Sequence, residues 1–147
     1  MLLPESIIEL SLKVGVVYKI AFPEKIETNI PHYFIVIAIT DDNNYLIVST
    51  TQLQNKIDHI RKRGYHPDTL AYIPPNSENG LKQDSYFNCN EYVKAKKNEL
   101  INKVQTNELE IVGHFSEEDY DKIVSAIRLS RVNNIPKFLL NYQPPST

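Results

Sequence analysis

Three short strings hold the residues best able to do acid–base or phosphate chemistry: His32-Tyr33-Phe34-Ile35-Val36-Ile37, Ser49-Thr50-Thr51-Gln52 and Asp84-Ser85-Tyr86. An imidazole can take and return a proton near neutrality, and a hydroxyl or amide can hold a phosphate oxygen. Each string lies at the edge of an apolar run, where strands hold side chains still and leave them open to a substrate. Each also has a plainer use. His32, after Pro31, suits an ordinary surface position, Thr50 is a natural strand former, and Ser85 beside Asp84 suits a turn cap that supports a site without doing chemistry.

Other chemistry-bearing residues point elsewhere. Cys89 has no Cys-protease signature around it, and alternating strand positions commonly bury a lone thiol. His59 and His66, with Asp58 and Asp68, match no zinc spacing, so no metal site is expected there. Between those histidines lie Arg61-Lys62-Arg63, followed by Tyr65. Cations meet phosphates and an aromatic ring can stack on a base, so this segment suits an RNA contact; it equally suits a solvated loop. Lys94, Lys96, Lys97 and Lys103 read as the solvated face of a helix.

The elements that must position these residues are mostly short and extended. Pro4, Ile7, Ile8, Leu10 and Leu12 predict a small N-terminal helix over residues 4–13. Residues 15–22 alternate with a period of two up to Pro23, which predicts a first strand. The apolar runs 33–39 and 45–50 flank Asp41-Asp42-Asn43-Asn44, a cluster that caps its own turns, and predict a hairpin. Residues 51–80 read as a long polar irregular stretch with a short strand at 70–73, and loops of that size tend to be functional. A strand or strand pair follows at 85–93, a charged helix at 94–103 and a strand at 109–112. Ser116 stands at a helix N-cap with Glu117, Glu118 and Asp119 in the first turn, and Tyr120, Ile123, Val124 and Ile127 line one face of a helix running to about residue 132. The expected whole is one mainly β, α+β domain over residues 1–147, a small curved β-barrel with peripheral helices, a helical appendage at 1–13 and a tail at 132–147.

Composition fits that size. The chain has 147 residues, 41% hydrophobic and 23% charged, enough for one real core. Its net charge of −2 supplies no global field toward nucleic acid or membrane, so any nucleic-acid contact must be local. A single cysteine and a start without a basic, long apolar leader lead to the expectation of a cytoplasmic protein with no membrane partner.

Taken in order, Gly15-Val16-Val17-Tyr18 into Phe22-Pro23, the strand beginning at His32, Ser49-Thr50-Thr51-Gln52, Lys82-Gln83-Asp84-Ser85-Tyr86 and Gly113-His114-Phe115-Ser116 resemble the MazF/PemK family of toxin endoribonucleases over roughly residues 14–131. The resemblance implies an SH3-like barrel, usually a homodimer, that cuts single-stranded RNA at short sequences with no metal or other cofactor. A cognate antitoxin protein would neutralise it. In that family an Arg at the start of the second strand and a Thr at the end of the third carry cleavage. By position these fall on His32 and Thr50, so the Thr is retained and the Arg is replaced. A guanidinium is a permanent cation, whereas a His can take the 2′-hydroxyl proton and protonate the leaving 5′-oxygen. The expected site is therefore His32 and Thr50 as catalytic residues, supported by Thr51, Gln52, Asp84 and Ser85, with Arg61, Lys62, Arg63, Tyr65 and Lys82 contacting RNA. The products would be a cyclic phosphate and a free 5′-hydroxyl. A non-catalytic SH3-like barrel that binds RNA or a protein segment is the alternative, favoured by the loss of the Arg; a purely structural interaction protein is the second.

Overall fold

The computed structural model describes residues 12–26 and 30–145. The helix expected over residues 4–13 lies outside the described residues apart from Leu12 and Lys13. The expected first strand is β1 (Val16–Ile20), and the hairpin is β2 (His32–Ile39) with β3 (Asn43–Thr50). Thr40 closes its turn: its N–H donates to the Asn43 carbonyl at 2.8 Å, and its Oγ1 accepts the Asn43 N–H at 3.1 Å. The remaining strands are β4 (Leu70–Ile73), β5 (Ser85–Asn88), β6 (Val93–Lys96) and β7 (Leu109–His114). All pairings are antiparallel, in the order β4-β5-β3-β2-β1-β7, and β6 pairs with the first half of β3.

This sheet is covered on both faces, which is why residues 34–38 form an unbroken buried run. Ile35 and Ile37 point into a core shared with Val17, Phe87 and α3 (Glu117–Leu129). Phe34 and Val36 point the other way, into a core with Tyr18, Ile20 and α2 (Lys97–Gln105). The register of β2 on β3 skips Ile37, and the carbonyl of that residue accepts the Tyr120 hydroxyl at 2.6 Å. Burial holds the Tyr120 and Tyr18 phenols well above their ordinary range.

Three expectations are corrected. The stretch 51–80 is not one irregular loop: α1 (Leu53–Arg63) occupies its first third, ended by Gly64 at φ +72°. Leu53, Ile57 and Ile60 have helical spacing, but only Ile60 is buried, so the apolar signal was thin. The charged stretch 94–103 divides: Val93–Lys96 pairs with β3, and the helix begins only at Lys97, with the Lys96 N–H donating to Glu99 Oε1 at 3.3 Å. Lys94 and Lys96 are thus strand residues. Lys103 is not a solvated face but mostly buried, with Glu24 at 3.3 Å, Glu108 at 3.6 Å and the Phe22 ring beneath it. Finally, α3 stops at Leu129 rather than near 132, because the Ser130 hydroxyl takes the Val132 and Asn133 N–H groups. Its start is as expected, with Ser116 Oγ accepting the Asp119 N–H at 3.1 Å.

Among the described residues the end strands β4 and β7 do not pair with each other, so the sheet is open. The loop after β4 lies along the outer edge of β7, where the His114 N–H donates to the Glu78 carbonyl at 2.8 Å. Contact is backbone to backbone: a Cβ at Gly80 would fall 2.2 Å from the Val112 carbonyl oxygen. No helix among the described residues is long and apolar enough to cross a membrane.

Candidate functional site

The start of β2, the end of β3, the start of β5 and the end of β4 all meet at one margin of the sheet. Strand register decides which side chains share it. Phe34 lies opposite Val48, so two further residues along the same antiparallel register put His32 across from Thr50, on the same face. Thr50 in turn lies opposite Tyr86, and Tyr86 opposite Tyr72. The result is a row across four strands: His32, Thr50, Tyr86, Tyr72. With strands about 4.8 Å apart, it spans roughly 14 Å.

Each member is held locally. His32 Nδ1 lies 2.8 Å from the Ile30 carbonyl oxygen, which can only accept, so Nδ1 carries a proton and, when the ring is neutral, Nε2 holds the lone pair. Thr50 Oγ1 accepts the Gln52 N–H at 3.0 Å, and its own O–H has no acceptor among the described residues. An imidazole held through Nδ1 and a hydroxyl free to donate therefore share one margin. Tyr72 and Tyr86 stack with ring centroids 5.3 Å apart and planes 26° from parallel. The Tyr72 hydroxyl donates to Asp84 Oδ1 at 3.0 Å, and that bond raises the Tyr72 phenol above its ordinary range.

The other expected residues fall in three places. Thr51 and Gln52 are exposed at the junction of β3 and α1, where the Thr51 carbonyl accepts the Leu53 N–H and Gln52 Oε1 accepts from Asn55 Nδ2. Ser85 points away from the row: it is buried on the opposite face, its hydroxyl donating to the Gln83 carbonyl at 3.0 Å, as a turn cap does. Arg61, Lys62 and Arg63 form the exposed last turn of α1, and Lys82 is exposed in the turn before β5. Arg61 and Tyr65 help line a cavity of about 270 Å³ with Ile57, Ile60, Pro67 and Leu70. Lys25, Val48, Lys56, Asn88 and Tyr92 help bound a second cavity, of about 280 Å³.

Sequence reasoning missed the tyrosine pair as part of the site. Its signal was the alternation in Leu70–Ile73, which turns Tyr72 outward between the buried Ala71 and Ile73. Of the remaining candidates, His59 Nε2 lies 3.3 Å from Glu91 and His66 Nδ1 accepts the Asp68 N–H at 3.0 Å, capping a short 3₁₀ turn (Pro67–Thr69). Among the described residues no three metal-ligating side chains converge. Cys89 is fully buried, and burial pushes its thiol up, away from the reactive thiolate. A scan against protein-family models finds no match to this chain, and a search of curated proteins finds none either. The roles of these residues therefore rest on their geometry and chemistry.

Proposed function

We propose that this chain is an endoribonuclease toxin of the MazF/PemK kind, cutting single-stranded RNA without a metal through attack of the ribose 2′-oxygen. In this reading the curved sheet, with the loop after β4 laid on β7, is an SH3-like barrel, and two copies form the working dimer. The observation that carries the reading is the shared margin of His32 and Thr50, the first held through Nδ1 on a backbone carbonyl and the second with an O–H that has no acceptor among the described residues.

The reaction balances on these two groups. His32 Nε2 takes the 2′-hydroxyl proton, the 2′-oxygen attacks phosphorus, and the bond to the 5′-oxygen breaks. The imidazolium then returns the proton to that leaving oxygen, giving a 2′,3′-cyclic phosphate and a 5′-hydroxyl. Thr50 donates a hydrogen bond to a non-bridging oxygen as charge builds there. Arg61, Lys62 and Arg63 hold flanking phosphates, and an acidic antitoxin segment would compete for the same cations.

The test is long single-stranded RNA of mixed sequence, incubated with the purified protein in excess chelator. Cuts at discrete sequences, each leaving a cyclic phosphate and a 5′-hydroxyl, are expected. Intact RNA overturns the reading; intact RNA that is nevertheless bound favours the non-catalytic barrel, for which the exposed tyrosine pair and basic helix end also serve.

A further inference from the structure

The row of side chains does not end with the two groups assigned to the reaction. Beyond Thr50 it continues into two aromatic rings already stacked on each other, and the outer one, Tyr72, is 47% exposed. Tyr72 also lines an open cleft of about 460 Å³ with Asp68 and Lys122, and a ring that exposed is a platform for a base, because every nucleobase has a π face to lay on it. Spacing fits. Tyr86 lies one strand from Thr50 and Tyr72 two, about 5 and 10 Å across the sheet, so a chain held at Thr50 has both rings beside it.

Asp84 adds a preference. Its Oδ1 accepts the Tyr72 hydroxyl, which fixes the outer ring, while Oδ2 has no partner among the described residues. A carboxylate only accepts hydrogen bonds. Beside it, a base edge that presents an amino group is held, and one that presents a carbonyl oxygen is repelled. Two residues back along β4, on the same face, Leu70 opens into the cavity with Arg61 and Tyr65, which gives the strand a continuation. At about 270 Å³ that cavity exceeds the roughly 150 Å³ sufficient for a benzene ring.

We propose that Tyr72 and Tyr86 form the stacking platform for the nucleobase next to the phosphate held at Thr50, and that Asp84 selects a base bearing an exocyclic amino group there. The assignment of that phosphate as the scissile one rests on the endoribonuclease reading; the platform itself does not.

Cytosine and uracil differ at ring position 4 by an amino group against a carbonyl oxygen, so short single-stranded oligocytidine and oligouridine, 2′-O-methylated throughout to prevent cleavage, are the probes. The unmodified protein is expected to bind the cytidine strand about 5- to 150-fold more tightly. Tyr72→Ala loses affinity for both strands by a similar factor, Tyr72→Phe retains it, and Asp84→Asn removes the preference for cytidine. Tyr72→Leu keeps an apolar side chain over Tyr86 and still loses affinity if stacking is what binds. Unchanged affinity in Tyr72→Ala overturns the platform, equal binding of the two probes overturns the role of Asp84, and binding of neither overturns both. Cleavage of mixed-sequence RNA, read in parallel, separates the two claims. A protein that cleaves while Tyr72→Ala binds normally loses only the platform, and one that never cleaves yet shows the tyrosine effect loses only the catalytic reading.

Discussion

Two histidines of this chain are fixed in the same way and end in opposite situations. His32 and His114 each give the Nδ1 proton to a backbone carbonyl, that of Ile30 at 2.8 Å and that of Phe115 at 2.7 Å. In the neutral ring, both would carry their lone pair on Nε2. His32 stands at the start of β2, at the sheet margin across from Thr50, and its Nδ1 contact is exposed. At His114 Nε2 is buried without a partner, the ring lying against Gly15 and edge-on to Tyr142. Residue type and tautomer are shared, and access alone separates a group that can exchange a proton with a substrate from one that packs. The same contrast holds among the tyrosines, with Tyr72 at the margin and Tyr18 and Tyr120 sealed in the cores.

The largest effect that can break this comparison is on rate. His32→Ala is expected to lose about two to four orders of magnitude in RNA cleavage with little change in RNA affinity or melting temperature, the loss typical when a general acid or base is removed. His114→Ala should do the reverse, lowering the melting temperature while cleavage per folded molecule stays near that of the unmodified protein. Rates and melts on both variants check the pair, and a full rate in His32→Ala removes that residue from the mechanism.

Next comes the packing around His114. Gly15 has φ +96°, and a Cβ there would fall 2.6 Å from the His114 ring. Gly15→Ala combines left-handed strain with overpacking and should cost at least about 2 kcal/mol, roughly 5 °C or more in melting temperature. A smaller shift in calorimetry would mean that the ring gives way and the His114 pocket is soft.

Alkaline pH should separate the tyrosines. Tyr18 and Tyr120 are raised by burial, so in the folded protein they keep their protons where the unfolded chain releases them. Stability is then fully present below the ordinary phenol value near 10 and falls as pH rises past it, by up to about 1.4 kcal/mol per pH unit for each residue. Tyrosinate absorbance followed together with circular dichroism should show these two ionising only as the fold is lost; early ionisation of all tyrosines without unfolding would contradict their burial. The smallest effect concerns Cys89, whose buried thiol should resist alkylation in the native protein and react promptly in denaturant.

How much of this could be read from the chain differs by element. The β2–β3 hairpin and the start of α3 were legible because their signals are local: apolar alternation, a turn of Asp and Asn, a Ser with acidic residues after it. Helix α1 was not, since Gln52 offers no side-chain cap, its first turn has no acidic residue and only Ile60 is buried. Its support comes from β4 and the 3₁₀ turn, which lie later in the sequence. Likewise 93–96 became a strand because the first half of β3 was there to pair with it, a partner some fifty residues away.

By itself, then, the sequence determined which residues could do chemistry and which short segments would be extended or helical, because side-chain type and period-two or helical spacing act within a few residues. The grouping was decided only by the tertiary structure. His32, Thr50, Tyr86 and Tyr72 share one face because three antiparallel registers align strands far apart in the chain, and a shift of any one by a single residue would turn its side chains to the other side. Ser85, one residue from Tyr86, shows the consequence: the pleat puts it on the opposite face, out of the site.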